Sequence, residues 1–413
     1  MSSQAPGGSA TGPLKGVRIL DLTAMLAGPF TTMLLSDMGA DVVKVEPATG
    51  DRTRGLGPYR AGDDRDQALG GYFQSVNRGK RSIVLDLKSD DGAAAFLALV
   101  EVADVVVENF SAGVMDRLGL SYERLAEVNP RIVYAALRGF GDSRSGTSPY
   151  EAWPAFDVVA QAMGGFAGIT GELGGAPLKS GPGIGDIFPG TLLALGVAAA
   201  VRHAERTGEG QFVDVAMYDA VLAMCERIVY QHSYLDIVPR PMGNGHPLLA
   251  PFDIMPTSDG WMAVAAPSNN HWRILVETMG RPDLAEDPRF VDNAARVTHN
   301  DEVQKLVGAW LLSQTNDSVV TALGGRVPIG PVNTAADIFD DPHVRVREML
   351  VEVEEPGSDL PVTIAGSPIK FSTTPSRVAR RGPKLGEDNP ASILAEWATA
   401  SSCSQPGSND NER

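Results

Sequence analysis

Gly16-Val17-Arg18-Ile19-Leu20-Asp21-Leu22-Thr23, then residues 30–38, then Asp41-Val42-Val43-Lys44-Val45, decide the fold of this chain. The first and last stretches are runs of β-branched and leucine side chains bounded by glycine or polar residues, and they predict strands; residues 30–38 predict a helix. Together they make a βαβ unit, in which two parallel strands are joined by a helical crossover. Gly39 stands between helix and second strand, where a left-handed residue closes a helix.

Outward from this unit the alternation continues. A loop rich in Gly, Arg and Asp covers residues 48–68, and a strand is predicted at 82–87. An alanine-rich helix at 90–102, a strand at 104–107, a short helix with Ser121 as N-cap and a strand at 131–137 follow. Strands alternating with helices define an α/β fold, here with a Rossmann-like first third. Residues 164–185 hold nine glycines in 22 positions, a density that favours turns and close backbone approaches over regular elements. A helix is predicted over 188–206, ended by Thr207-Gly208-Glu209-Gly210, then a strand at 211–215 and a further helix. The proline- and glycine-rich residues 239–251 read as a linker into a smaller α+β unit with a strand at 262–265, and residues 328–331 read as its exit. Strand signals resume at 349–353 and 362–364 before a Ser/Asn/Gly tail.

Composition excludes several functional classes. The 413 residues carry 35 Lys+Arg against 51 Asp+Glu, a net charge of −16, and 43% are hydrophobic. That balance belongs to a globular chain of roughly two or three domains of ~100–200 residues each. A net acidic surface repels phosphate backbones, so no nucleic-acid partner is expected and any anion site must be local. Two cysteines, Cys225 and Cys403, suit a reducing compartment better than a disulfide framework. The first residues lack a basic region followed by an apolar one, and the longest apolar stretch, 192–201, is about half of the ~20 residues a spanning helix needs. A loose N-terminal tail and no membrane association are therefore expected.

Common catalytic motifs are absent. The turn after the first strand, Thr23-Ala24-Met25-Leu26-Ala27-Gly28, lacks the glycine spacing that brings a backbone against a dinucleotide pyrophosphate. Gly79-Lys80 is followed by Arg81 where a P-loop has its magnesium-binding hydroxyl, and Gln74 stands where the first glycine belongs. Ser143 and Ser145 miss the strand-turn-helix nucleophile elbow. The six histidines show no metal-ligand spacing, so no metal site is expected.

Pro13-Leu14-Lys15 running into Gly16 to Thr23, Leu26-Ala27-Gly28-Pro29-Phe30, and Gly39-Ala40-Asp41 through Glu46-Pro47 resemble the opening of the family III CoA-transferases. Asn77-Arg78-Gly79-Lys80-Arg81-Ser82, Glu108-Asn109-Phe110, Gly185-Asp186 and Thr207-Gly208-Glu209-Gly210-Gln211 extend the match in order, over about residues 13–395. The resemblance implies a large Rossmann-like domain built from both chain ends, residues 13–238 and 331–398, with a linker and small α+β domain at 239–330. It implies two subunits interlocked as a homodimer, while composition and cysteine usage give disordered tails at 1–12 and 399–413 and a cytoplasmic location. Coenzyme A enters as the acyl-CoA substrate rather than as a bound cofactor, and a small carboxylic acid is the second substrate.

The same resemblance places the catalytic aspartate on Asp186, which would attack an acyl-CoA thioester and carry CoA as an aspartyl thioester. The residues themselves fit: Gly183 and Gly185 leave the carboxylate approachable, and the N-terminus of a helix starting near residue 188 would favour its ionised form. Read from its local sequence alone, Asp186 better suits an N-cap, and it is the resemblance that favours the catalytic role. By motif position the CoA-binding residues fall on Leu85, Lys88, Asn109, Phe110, Arg117 and Arg138, with Met25, Leu26 and Ala27 beside the pantetheine arm and thioester. Lys88 and Arg117 would then meet phosphates. The family also contains α-methylacyl-CoA racemases, whose His-Asp proton shuttle aligns with Phe156-Asp157; phenylalanine carries no proton, which disfavours racemisation. A non-catalytic CoA binder is the remaining alternative, opposed by the presence of Asp186. Gly243-Asn244-Gly245-His246-Pro247 resembles the active-site loop of relatives that handle dicarboxylic acids, and His246 or the arginines Arg52 and Arg54 are candidates for a distal carboxylate.

Overall fold

The computed structural model describes residues 12–403. It divides into two units. The first takes the chain up to Phe166, Ser180–Leu235 and everything from His343 onward; the second takes Ala167–Lys179 and Asp236–Pro342. The second unit thus includes residues 167–179 and runs past residue 330, both of which the sequence assigns to the large domain.

In the first unit, β1 (Arg18–Asp21), α1 (Ala27–Asp37), β2 (Asp41–Glu46), α2 (Gly71–Asn77), β3 (Arg81–Val84) and α3 (Asp90–Val102) realise the expected alternation. They are followed by β4 (Val105–Glu108), α4 (Val114–Arg117), α5 (Tyr122–Val128), β5 (Val133–Arg138) and α6 (Asp157–Met163), after which the short α7 (Phe166–Ile169) leads into the second unit's segment Ala167–Lys179. Then come α8 (Ile184–Thr207), β6 (Phe212–Ala216), α9 (Met217–Met224) and α10 (Glu226–Leu235). The strands form one parallel sheet in the order β3-β2-β1-β4-β5-β6, the order of doubly wound dinucleotide-binding folds. Every residue of β4 and β5 is buried, as a parallel sheet covered on both faces requires. One core layer gathers Leu20, Val43, Ile83, Phe96, Val106 and Tyr134 together with Ile393 and Trp397 from the C-terminal helix Pro390–Cys403. That helix occupies residues expected as tail from 399; Cys403 closes it, and the remaining tail residues lie outside those described. Gly39 takes φ 101° and Ser121 accepts a hydrogen bond from the Arg124 amide, as their positions predict.

The largest departure is α8, which starts four residues before the predicted position. Pro189 reads as a first-turn residue, but here it sits a full turn inside the helix. Close packing holds this segment in place: a Cβ on Gly190 would lie 2.6 Å from the Ala27 carbonyl oxygen, and Thr31 Oγ1 donates to the carbonyls of both Ala27 (3.0 Å) and Gly190 (2.9 Å). Among the described residues, α8 is the one helix long and apolar enough to cross a membrane by length and composition, with a mean hydropathy of 1.8. It packs against α1, α6, α9 and strands β5 and β6.

The second unit has its own core under an antiparallel sheet of β7 (Phe252–Pro256), β8 (Trp261–Ala265) and β9 (Ile329–Pro331). Trp272, Leu275, Phe290, Val307 and Leu311 are fully buried there. In the first unit, β10 (Leu350–Val353) and β11 (Val362–Ala365) pair antiparallel.

Candidate active site

The carboxyl end of β1 passes into α1 through residues 22–26, and this loop is pinned from below. Lys44 Nζ donates to the Thr23 carbonyl (2.6 Å), while the Asn109 side-chain amide both accepts from the Ala24 N–H (2.9 Å) and donates to the Ala24 carbonyl (2.8 Å). Asp51 Oδ1 accepts from the Met25 N–H at 3.4 Å. Met25 has φ 70°, a left-handed conformation that costs a non-glycine residue about 1–3 kcal/mol and survives only where neighbours over-determine it.

Beneath the loop lies a fully buried charge network. Lys80 Nζ is 3.0 Å from Asp21 Oδ2 and Lys44 Nζ is 3.1 Å from Asp51 Oδ2. Burial opposes ionisation of Asp21 and Asp51, but the charges of Lys80 and Lys44 on the first, and of Lys44 on the second, outweigh it and hold both carboxyls below their usual range. Burial carries Lys80 the other way, down to about 8.

Above the loop a cavity of about 620 Å³ opens along the carboxyl ends of the strands, lined by Leu22 after β1 and Asn109 after β4. These strands flank the switch point of the strand order, the usual ligand crevice of open α/β sheets. Asp186 reaches this cavity from the first turn of α8, whose N-cap is Gly183; Asp186 is no cap, and its carboxylate accepts no hydrogen bond from any described residue. Burial and then the nearby Asp157 charge raise its pKa from 3.8 to about 7. The expected ionised carboxylate is thus corrected: burial and a like charge bring the group to titrate near neutrality.

Asp157 differs from Asp186 in being fully partnered. Its Oδ1 accepts from the Gly185 N–H (2.8 Å), and Gln161 Nε2 lies 2.8 Å from both of its oxygens. A Cβ on Gly185 would sit 2.6 Å from the Asp157 carbonyl oxygen, so only glycine lets α6 approach the start of α8 this closely. Asp157 thereby fixes the first turn of α8 and contributes the repulsion felt by Asp186. The i, i+4 spacing of Asp157 and Gln161 was the sequence signal for this clamp.

The other predicted residues divide. Met25, Leu26, Ala27, Asn109, Phe110 and Arg138 line the cavity with Asp186. The Asn109 amide is spent on Ala24, and Arg138 is buried against Glu108 (2.5 Å) and Asp142, so its guanidinium is already neutralised. Leu85 is a core residue 8% exposed, and it is not among the cavity lining. Lys88 and Arg117 are exposed and likewise absent from the lining, though each follows a strand on the carboxyl side of the sheet. Arg54 is held by two hydrogen bonds to Glu46 and stacks 3.9 Å over Phe73. His246 belongs to the second unit, where its Nδ1 accepts from the Leu248 N–H (3.1 Å) and its ring meets Phe252. Tyr72 and Trp153, which the sequence did not single out, also line the cavity. Burial, then the charges of Asp186 and Asp51, raise the pKa of the Tyr72 phenol above its usual value. No histidine lines the cavity among the described residues, and Phe156 occupies the rim. No cluster of three or more potential metal ligands occurs among them either.

The model of CoA-transferase family III matches residues 14–389. The chain belongs to CoA-transferase family III. It is 48% identical over 399 residues to a succinyl-CoA:mesaconate CoA-transferase of Haloarcula hispanica, covering 97% of this chain and 100% of that one. It is 39% identical to a succinate–glutarate CoA-transferase of Agrobacterium fabrum, covering 95% and 98%. A CAIB/BAIF family protein from Brucella suis superimposes with a TM-score of 0.81 at 35% identity, covering 94% of this chain and 100% of that structure. As a family III CoA-transferase, the protein is an enzyme that moves CoA between an acyl-CoA and a carboxylate.

Proposed function

We propose that this enzyme transfers CoA from succinyl-CoA to a small dicarboxylic acid through covalent intermediates on Asp186. The observation that carries the reading is the Asp186 carboxylate: in the cavity, without a hydrogen-bond partner among the described residues, on a helix turn, and titrating at about 7. Asp21 and Asp51 have lysine partners that hold them ionised, whereas this carboxylate is left to form a bond. A carboxylate of raised pKa is a better nucleophile than an ordinary one, and at neutral pH about half of it is in the reactive form.

An Asp186 oxygen attacks the thioester carbonyl, the C–S bond breaks, and CoA leaves as thiolate, giving a mixed anhydride. The thiolate attacks the aspartyl carbonyl of that anhydride, releasing the donor acid and forming an aspartyl-CoA thioester. The acceptor carboxylate attacks this thioester to give a second anhydride and thiolate, and attack of the thiolate on the acceptor carbonyl delivers the new acyl-CoA and restores Asp186. Each step exchanges one activated acyl bond for another, so no nucleotide hydrolysis is required.

Support for the dicarboxylate class comes from the relatives named for succinyl-CoA, mesaconate and glutarate chemistry. The exposed Lys88 and Arg117, at the carboxyl edge of the sheet, suit the phosphates of CoA, and Phe110 with the pinned residues 25–27 suits the pantetheine arm. The interlocked homodimer and a cytoplasmic location belong to the same reading. Purified protein given succinyl-CoA and mesaconate or glutarate is expected to form the new CoA thioester, and Asp186→Ala to lose turnover by about 10⁴-fold or more. Turnover unchanged in Asp186→Ala would overturn the mechanism, and proton exchange α to the thioester without CoA transfer would replace it by racemisation. Size-exclusion chromatography with light scattering tests the dimer, a monomer at micromolar concentration contradicting it.

A further inference from the structure

We infer that Arg52 is the residue that recognises the distal carboxylate of the dicarboxylic acyl group; this rests on the transferase reading above. The cavity is an acidic place for a dianion. Five carboxylates line it, Glu46, Asp51, Glu151, Asp157 and Asp186, against two fixed cations, Arg52 and Arg138. Arg54 neutralises Glu46 and Lys44 neutralises Asp51, which leaves three acids facing the substrate. A substrate that brings a second negative charge into this field needs a cation that is not already paired.

Arg138 is buried and committed to Glu108 and Asp142. Arg52 has neither an ion pair nor a hydrogen bond among the described residues, and it is exposed on the cavity wall. Its backbone is nonetheless well placed. It opens the 3-10 turn Arg52–Gly55, which Asp51 caps by accepting from the Thr53 N–H (2.9 Å), and Thr53 is fully buried. Within this one turn the two arginines take different tasks: Arg54 folds back onto Glu46 and Phe73, and Arg52 is left with its guanidinium unspent. Asp51 also accepts from the Met25 N–H, so the turn carrying Arg52 is tied to the loop beside Asp186. A planar guanidinium pairs with a carboxylate through two parallel hydrogen bonds, a match that ammonium reproduces only in charge.

The test compares wild type, Arg52→Gln and Arg52→Lys with saturating succinyl-CoA and two acceptors of one skeleton: mesaconate, and tiglate, in which a methyl replaces the distal carboxylate. The ratio of kcat/KM for mesaconate over tiglate is expected to fall in Arg52→Gln by about tenfold or more. Arg52→Lys is expected to recover part of it, and neither variant should shift the thermal midpoint, because Arg52 makes no ion pair or hydrogen bond among the described residues. A ratio unchanged in Arg52→Gln, whether or not both rates fall together, overturns the assignment of Arg52 and leaves the transferase reading standing. A wild type that moves CoA to no acid at all overturns both.

Discussion

Two sets of aspartates, one buried and one half-buried, lie on either side of the loop at residues 22–26, and they behave in opposite ways. Below the loop, Asp21 and Asp51 each meet a buried lysine that holds the carboxyl below its usual range. Above it, Asp186 meets no cation and no hydrogen-bond donor among the described residues, shares its surroundings with Asp157, and rises to about 7. The contrast separates carboxylates that hold the backbone from one that is left for chemistry. The lower set pins a left-handed Met25 at the cavity wall; the upper set lines the cavity itself.

Breaking the lower set should affect stability most. Asp21→Ala leaves Lys80 buried with its principal counter-charge removed, and a loss of about 3–5 kcal/mol is expected in urea unfolding. A loss under about 1 kcal/mol would mean that the network is not what holds the loop. Asp186 should respond with the opposite sign. Its folded-state pKa lies above the ordinary 3.8, so the folded chain binds that proton more tightly than the unfolded chain does. Its contribution is therefore present at low pH and is lost as pH rises toward about 7. Asp186→Asn removes the penalty and should stabilise the protein at pH 8 by at most about 4 kcal/mol, with little gain at pH 4. Destabilisation at pH 8 would contradict the assignment of an unpartnered carboxylate.

A subtler change sharpens the comparison within the upper set. Asp157→Asn keeps an oxygen for the Gly185 N–H but removes the like charge beside Asp186. The acid limb of kcat/KM, with its midpoint near 7 in wild type, should move toward the ordinary carboxylate range without reaching it, because burial remains. An unmoved limb would assign the shift to burial alone.

Much of this architecture is legible in the chain. The βαβ alternation predicts the parallel sheet because its central strands, such as Val105-Val106-Val107, are apolar on both faces. Asp186 is legible through its glycine neighbours and the family resemblance. What the sequence conceals is how side chains are spent. Asn109 and Arg138 look available for nucleotide binding, yet the first is consumed by Ala24 and the second by Glu108 and Asp142. Leu85 looks like a ligand contact and serves the core. Arg52 and Arg54 are two residues apart and indistinguishable as letters; only the turn decides which one is free. The start of α8 was concealed for a similar reason, since Pro189 is tolerated there by packing against α1 that local pattern does not encode.

The most direct test of the central claim is to catch the bond on Asp186. Protein incubated with succinyl-CoA, quenched with hydroxylamine or borohydride and digested should yield the peptide containing Asp186 as the hydroxamate or the alcohol, and no such product in Asp186→Asn. An unmodified Asp186 peptide from enzyme that is turning over under the same conditions would contradict the account.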